Sequence, residues 1–212
     1  MNVRRIGRLL NRRILRKQNP EDRKRCELNE FVCSRIPHFR APAERADWGA
    51  RTRGLRRRIL RDVYMRGHPD SVLSDPPKVE WTGEIDGGDG YRIRKLRYEG
   101  YPGLWIPGLL YEPSELKELM PAVLNPNGHA AGGKAVTYKQ ARCINLAKRG
   151  MLALSTEFIG MGELQDSALH NRFSMLDLCG RAGVGIFYLA MKRGLDILLS
   201  HPHCDSARIA MT

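Results

Sequence analysis

The second half of this chain alternates short apolar runs with longer amphipathic stretches, and this alternation constrains the fold more than any other feature. The apolar run Pro121–Leu124 precedes a helical pattern over about 134 to 149. A strand pattern over 151 to 157, a helical pattern over about 173 to 200 and a strand pattern over 207 to 212 follow. Strand–helix–strand units in series join parallel strands through right-handed crossovers. The pattern therefore predicts an α/β domain with a parallel sheet.

Two further strand patterns come before the parallel part. They cover Tyr91–Tyr98 and Leu104–Tyr111, and the turn sequence Gly100–Gly103 joins them. Their alternation of apolar and polar residues predicts an antiparallel hairpin with one face exposed to solvent. Pro107 lacks an amide donor, so we expect it on an edge strand or at a bulge, among the outermost strands of a mixed sheet.

The formal net charge of +13 is confined to the amino-terminal part of the chain. Residues 1–66 contain 20 Lys and Arg against 7 Asp and Glu, whereas residues 67–212 contain 16 of each kind. The split predicts a basic helical extension over residues 1–77, followed by the α/β domain over residues 78–212. Helical spacing of apolar residues recurs within the extension, at Ile6, Leu9, Leu10 and Ile14 and again at Trp48, Leu55, Ile59 and Val63.

The arginine-rich helices have two interpretations. Clustered arginines can bind the phosphates of a nucleic acid or of an anionic membrane surface. Alternatively, the arginines form a solvated helical face, and the first 20 residues come from an over-extended translation start. Neither interleaved aromatic residues nor a known binding motif accompanies the charge, which favours the solvated face and predicts no nucleic-acid partner.

Composition and motifs exclude several classes of protein. No apolar run approaches the roughly 18 residues of a membrane span, and Ile6–Leu10 is too short for a signal-peptide core, so we expect a cytoplasmic protein without a membrane span. Five cysteines without a CxxC pair predict free thiols. His201 and His203 beside Cys204 form the one dense group of metal donors, too few to predict a metal site. The sequence carries no nucleotide, flavin or metal motif, so no cofactor is expected, as suits hydrolysis.

A glycine-rich loop separates the first parallel strand from its helix. It runs from Asn125 to Lys134 and contains Gly128, Gly132 and Gly133. Glycines let a backbone approach a ligand closely, and a loop that leads into a helix presents N–H groups to negative charge. This arrangement favours an oxyanion hole, in which fixed amide donors stabilise a developing negative charge. A phosphate loop would need Ser or Thr where Ala135 stands, and a plain glycine-rich turn is the third possibility.

Several stretches between Tyr98 and Thr212 occur in the order of a known family. They are Gly103–Pro107, Asn127–His129, Glu157–Gly162, His170–Arg172 and Arg193–Pro202 with Asp205 and Arg208–Ala210. They resemble the acetyl-xylan-esterase-like and dienelactone-hydrolase-like branch of the α/β-hydrolases. The resemblance implies the amino-terminal half of that fold, an antiparallel hairpin plus parallel strands with crossover helices, preceded here by basic helices.

The resemblance also implies roles for residues of the loops. The family's residue after the glycine of a His-Gly or Asn-Gly pair lends its backbone N–H to the oxyanion hole, which points to His129, next to Gly128. The His129 ring itself is expected to be a surface hydrogen-bonding group. Glu157 lies at the carboxyl end of a parallel strand, where ligands bind in open α/β sheets. Glu157 is therefore a candidate pocket residue. His170, which follows the Gly160–Gly162 turn, is interpreted first as a structural group that pins its loop and second as a candidate pocket residue.

The catalytic residues themselves are not assigned. In the family the last of these strands runs into a G-x-S-x-G nucleophile turn, and an acid and a histidine follow further on. The chain contains no G-x-S-x-G. We therefore expect a fragment of a serine carboxylic-ester hydrolase for a small acyl ester such as an acetylated sugar, inactive by itself. The alternative is a non-catalytic remnant, or a basic-helix binding protein on a half-hydrolase scaffold. An apolar last strand with an unpaired edge also predicts self-association.

Overall fold

The computed structural model describes residues 21–38, 40–165 and 174–212. The chain divides into two compact units, Met1–Arg51 and Thr52–Thr212. Two sequence-based predictions lie outside the described residues: the first amphipathic helix, with Ile6 to Ile14, and the position of His170.

The first unit contains helix α1 (Glu21–Cys33) and the start of helix α2 (Asp47–Ile59). Helix α1 ends in a tight turn, where the Ser34 amide donates to Glu30 O at 2.9 Å. The Ser34 hydroxyl donates to Phe31 O, also at 2.9 Å. These two bonds satisfy carbonyl groups that the last helical turn leaves without an intrahelical partner.

The second unit begins within α2, which continues as a π-helical turn (Leu60–Tyr64), followed by the short helix α3 (Ser71–Ser74). The spacing of Leu55, Ile59 and Val63 correctly predicts a helix, but all three side chains are exposed. The apolar side chain of this segment that does pack is Leu60, which contacts a buried cluster of Met65, Val72 and Leu189. Residues 52–77 therefore share a compact unit with the sheet.

A six-stranded mixed sheet forms the centre of the second unit. Its strands are β1 (Val79–Asp86), β2 (Tyr91–Tyr101), β3 (Leu104–Pro113), β4 (Met120–Pro126), β5 (Leu152–Thr156) and β6 (Cys204–Met211). Their order across the sheet is β1-β2-β3-β5-β4-β6. Strands β1, β2, β3 and β5 pair antiparallel in turn, whereas β4 pairs parallel with β5 and with β6. The predicted hairpin is thus β2–β3, and the predicted parallel part is β5-β4-β6.

The sequence-based expectation that Pro107 lies on an edge strand is wrong, because β3 is an interior strand of the sheet. Pro107 O accepts from the Glu157 amide at 2.8 Å, so this edge of β3 faces the end of β5. Pairing of β3 with β5 runs from Gly108 to Tyr111 and stops before Pro107. The N–H that proline lacks would point to the same side as its carbonyl, beyond the end of that ladder. An interior strand therefore tolerates Pro107 at this position.

Helices cover both faces of the sheet. Helix α4 (Thr137–Lys148) follows β4, while α5 (Ser174–Leu178) and α6 (Gly183–Leu199) lie between β5 and β6. The prediction of one helix over about 173 to 200 is wrong, because the chain turns between α5 and α6. Gly180 has φ +74°, a left-handed conformation that ends a helix and that glycine adopts without strain.

The core has a layer on each face of the sheet. Helix α6 packs through Ile186, Ala190 and Ile197 on Tyr98 and Leu124. Helix α4 packs on the other face, where Cys143 and Ala147 meet Ile93, Tyr111 and Ala153. Burial raises the pKa of Cys143 to about 11.

Glycines of α6 set how closely the helix approaches its neighbours. A Cβ at Gly194 would lie 3.1 Å from Thr156 and from Tyr98, so this glycine meets the sheet. A Cβ at Gly185 would lie 2.1 Å from Tyr64 O, so that glycine meets the π-helical turn. Close packing against both neighbours therefore depends on the absence of side chains at these two positions.

A buried carboxylate connects β3 to β2 and to the loop after α6, at the edge of the sheet where the parallel strands begin. Glu112 of β3 accepts from Arg92 Nε at 2.7 Å, and its other oxygen lies 2.9 Å from His201 Nε2. The His203 amide donates to His201 Nδ1, so the Nε2 of His201 carries the proton and donates to Glu112. Burial raises the pKa of Glu112, but the hydrogen bonds from His201 and Arg92 and the arginine charges outweigh it, so the pKa lies below its usual value.

The described residues contain no helix long and apolar enough to cross a membrane. The described cysteine side chains, Cys33, Cys143, Cys179 and Cys204, are free thiols.

Candidate functional site

The carboxyl ends of the three parallel strands meet at one edge of the sheet. Leu124 near the end of β4 pairs with Leu154 of β5 and with Met211 of β6. The Thr212 amide donates to Leu124 O at 3.1 Å, so the end of β6 lies beside the end of β4. Ligands of open α/β sheets bind at this edge. The loops after β4 and β5 both start from it.

Asn127 anchors the glycine-rich loop after β4. Its side chain is buried, and its Nδ2 donates to Ser155 Oγ at 3.0 Å and to Thr156 O at 2.6 Å. The loop then turns tightly, with the Ala130 amide donating to Gly128 O at 2.8 Å. Gly128 and His129 are exposed at the apex. The strand end thus fixes the base of the loop and leaves the candidate oxyanion-hole backbone at the surface.

The His129 ring belongs to a row of aromatic rings. It meets Phe158 edge to face, with centroids 5.4 Å apart, and Phe158 stacks on Phe187 of α6 at 5.0 Å. Such contacts fix ring orientation and contribute beyond the area they bury. The sequence-based expectation of a surface hydrogen-bonding histidine omitted this packing. The three rings join the loop after β4, the loop after β5 and helix α6.

Glu157 connects the two loops through Lys134. The Lys134 amide donates to Glu157 Oε1 at 2.9 Å, and the Lys134 ammonium donates to Oε2 at 2.8 Å. Both side chains are buried. The Glu163 amide also donates to Oε2, at 3.3 Å, and the Glu163 carboxylate forms a second ion pair with Lys134. Buried charges need such partners, because desolvation is otherwise very costly.

Two glycines make room for the Glu157 carboxylate. Gly133 has φ +54° and Gly162 has φ +52°, so both are left-handed. A Cβ at Gly133 would lie 1.9 Å from Glu157 Oε1, and one at Gly162 would lie 2.4 Å from Oε2. A side chain at either position would therefore displace the carboxylate. The two glycines, Lys134 and Glu157 form one unit, here called the loop clamp.

A second lysine lies close behind the loop. Lys139, in the first turn of α4, is buried, and its Nζ has no hydrogen-bond partner among the described residues. Burial lowers the pKa of Lys139; the charge of Glu157 opposes this shift and that of Arg142 adds to it. The Glu157 carboxylate thus interacts with two lysines, Lys134 through a hydrogen-bonded ion pair and Lys139 through charge alone.

The structure brings three of the four sequence-predicted site residues to one edge. Gly128, His129 and Glu157 are there, and His170 lies outside the described residues. Glu157 faces Lys134 and the two glycines of the loop clamp, so a role in contacting substrate stays a prediction, as does the oxyanion hole. Sequence reasoning missed Asn127 and Lys134 as anchors. The local signal that could have identified these anchors is that a polar residue, Asn127 or Lys134, lies on each side of the glycine-rich segment.

The described residues hold no group of three or more His, Cys, Asp or Glu side chains arranged to bind a metal ion. The histidine rings of the His201 to Cys204 stretch, which the sequence offered as candidate metal donors, instead form hydrogen bonds within the protein. His201 contacts Glu112, and His203 Nδ1 lies 2.7 Å from Lys117 O. This stretch therefore links the end of α6 to β3 and to the start of β4.

Comparison with solved structures places this fold among esterases. A Bacteroides fragilis protein assigned as an acetyl xylan esterase matches 93% of the chain with a TM-score of 0.72 and 16% identity. A methylesterase matches 81% of the chain with a TM-score of 0.63 and 25% identity. An acetyl xylan esterase from Paenibacillus sp. R4 matches 74% with a TM-score of 0.52 and 16% identity. No protein-family model and no curated protein sequence matches the chain.

These likenesses show an α/β-hydrolase fold of the acetyl-xylan-esterase-like type, as the sequence resemblance predicted. The chain spans only part of each of these proteins, 55%, 37% and 55% of their lengths in the same order.

Proposed function

We propose that this chain is the amino-terminal part of a serine carboxylic-ester hydrolase that acts on an acylated sugar, and that it supplies the oxyanion-hole side of the site. The observation that supports this proposal most directly is that the end of β6 lies beside the start of the loop after β4. Thr212 bonds to Leu124, three residues before Asn127. In this fold the nucleophile turn follows such a strand, so a nucleophile there would face Gly128 and His129.

The loop has the properties that an oxyanion hole requires. Its base is fixed by buried Asn127, and the loop clamp holds its far end, so its backbone is preorganised before any ligand binds. Its exposed apex is at the edge of the sheet where substrates bind. Preorganised amide donors at a developing negative charge contribute on the order of 3 to 4 kcal/mol of transition-state stabilisation.

The substrate class follows from the solved neighbours and from the aromatic row. Two of the neighbours are described as acetyl xylan esterases. The aromatic rings of His129, Phe158 and Phe187 contact one another in a row beside the candidate oxyanion hole. An acetylated sugar presents a small acyl group and the apolar face of its ring. Both can pack against aromatic rings.

Two experiments test this proposal. Residues 1–212 contain no G-x-S-x-G, so the purified chain should hydrolyse para-nitrophenyl acetate no faster than buffer and should not react with a fluorophosphonate probe. Turnover that copurifies with a labelled serine would contradict the assignment of the nucleophile to a segment after β6. Sequencing of the coding region beyond the Thr212 codon is the second test. An in-frame Gly-x-Ser-x-Gly supports the esterase, and a stop codon supports the non-catalytic scaffold.

A further inference from the structure

We propose that the face of the β2–β3 hairpin on the α4 side carries a binding site for a sugar ring that bears a carboxylate, such as a uronic acid unit. The choice of a sugar rests on the proposed function. The site itself rests on a cavity of about 280 Å³ between the hairpin, β1 and the two loops joined by the loop clamp. Neither Gly128 nor His129 lines this cavity.

The strand register places an apolar floor and two cations on one face. Trp105, Pro107 and Leu109 alternate along β3 and line the cavity. Lys95 lies opposite Leu109, and Arg97 lies opposite Pro107, so both cations stand on the same face as the floor. The Arg97 guanidinium lies 5.3 Å from the centre of the Trp105 ring. A ring seated on Trp105 would therefore meet positive charge at its edge.

The two cations retain hydrogen-bond donors. Glu80 engages Arg97 through Nε and one terminal nitrogen, each 2.6 Å from the same carboxylate oxygen. The second terminal nitrogen of Arg97 has no partner among the described residues. Within the same part of the chain, Lys95 forms no ion pair. An arginine fork and an ammonium together match a carboxylate, the first through planar donors and the second through charge.

Polar groups of the rim favour a sugar over a simpler anion. Thr82 brings a hydroxyl from the β1 bulge, and Glu163 brings a largely exposed carboxylate from the loop after β5. Lys134 also lines the cavity, but Glu157 and Glu163 already occupy its ammonium. Hydroxyl groups of a sugar can donate to Glu163 and accept from Thr82. An inorganic anion would leave the Trp105 floor unused, and an aromatic acid would leave both rim groups without partners.

The size of the cavity limits the ligand to a small unit. Ligand pockets usually measure roughly 300 to 1,000 Å³, and this cavity lies just below that range. One ring fits better than an extended oligosaccharide buried along its length. Glu163 belongs both to the cavity rim and to the ion pairs of the loop clamp, so the bound ring would lie beside the loop that carries His129. The site would thus hold an acidic sugar next to an ester-bearing one.

Calorimetric titration of the full chain tests the proposal without any ester hydrolysis. We expect saturable binding of glucuronic acid at millimolar concentration, and binding at least about tenfold weaker for xylose and for benzoate, a loss of about 1.4 kcal/mol or more. Trp105→Ala and Arg97→Gln should each weaken glucuronate binding by a similar factor. Lys95→Met should do the same without unfolding the protein, because Lys95 is exposed and makes no ion pair among the described residues.

A matched control lies on the opposite face of the same strands. Arg94 lies 3.8 Å above the Trp81 ring, and neither residue lines the cavity. Trp81→Ala and Arg94→Gln should leave glucuronate binding unchanged. Absence of saturable binding, equal binding of xylose or benzoate, or equal losses in the control variants would each overturn the proposal. A stop codon after the Thr212 codon, or ester turnover by the purified chain, would contradict the proposed function without affecting glucuronate binding, so failure of the proposed function and failure of this site are distinguishable.

Discussion

The Lys134 ammonium lies 2.8 Å from Glu157 Oε2, and this buried ion pair joins the loop after β4 to the loop after β5. The same lysine also pairs with Glu163, whose side chain is 65% exposed. One cation thus has a buried and an exposed carboxylate partner. The two pairs can be compared directly, because the cation is the same in both.

Glu157→Gln should destabilise the protein far more than Glu163→Gln. Removing one partner of a buried ion pair costs roughly 3 to 5 kcal/mol, and because Glu163 would still compensate part of the Lys134 charge, we expect a loss near the lower end of that range. An exposed pair typically contributes about 0 to 1 kcal/mol. Urea unfolding of both variants measures the difference. A loss from Glu163→Gln that equals or exceeds the loss from Glu157→Gln would show that the clamp does not depend on the buried pair.

Gly162→Ala should disrupt the loop clamp, whereas Gly128→Ala should leave stability nearly unchanged. Gly162 is left-handed, and a Cβ there would lie 2.4 Å from Glu157 Oε2. Strain of a non-glycine residue at such a position costs on the order of 1 to 3 kcal/mol before the clash is counted. A Cβ at Gly128 would meet nothing within 4 Å. Thermal melts of the two variants decide the point, and equal melting temperatures would contradict the prediction.

Acid should remove the stability that Glu112 contributes. The folded-state pKa of Glu112 lies below its usual value, because the hydrogen bonds from His201 and Arg92 and the arginine charges outweigh the effect of burial. Its contribution is therefore complete above the unfolded pKa of about 4.3 and disappears as the pH falls through the folded pKa. Urea unfolding measured from about pH 7 to pH 3 should show this loss. Arg92→Met should make the loss smaller, and an unchanged pH profile in that variant would refute the assignment.

Strand β6 should mediate self-association. Among the described strands β6 pairs with β4 alone, and Met211 near its end is 68% exposed. A strand with an unpaired edge is a template for another chain. Light scattering after size exclusion should detect dimers or larger species. Met211→Lys should shift the population toward monomer, because a charge at the edge opposes pairing. A monodisperse wild-type monomer would contradict the prediction, because it would mean that the edge of β6 does not pair with another chain.

Limited proteolysis should separate the two compact units. We expect trypsin to cut first within Met1–Arg51, while residues from about 78 onward resist, because domain boundaries fall where few contacts cross. Residues 52–77 should resist as well, since Met65 and Val72 pack on Leu189. Early cleavage within β2 or β3, identified by mass spectrometry, would contradict this division.

Local patterns in the sequence were sufficient for most of the elements. Alternation predicted β2 and β3, and apolar runs between amphipathic stretches predicted β4, α4, β5 and β6. The break between α5 and α6 was missed, because Gly180 interrupts a helical pattern whose apolar spacing continues on both sides. Pro107 was placed on an edge because its missing donor is a local property. Whether that donor is needed depends on where the pairing of a neighbouring strand stops.

The sequence by itself determined the α/β class, the mixed sheet and the likeness to esterases, because periodicity and short motifs are properties of neighbouring residues. Only the tertiary structure decided that Glu157 lies against Lys134, and that Glu112 bonds to His201. These partners are 23 and 89 residues apart. Such pairs form where the fold removes two distant polar groups from water at the same place, and the cost of burying either one without the other then holds them together.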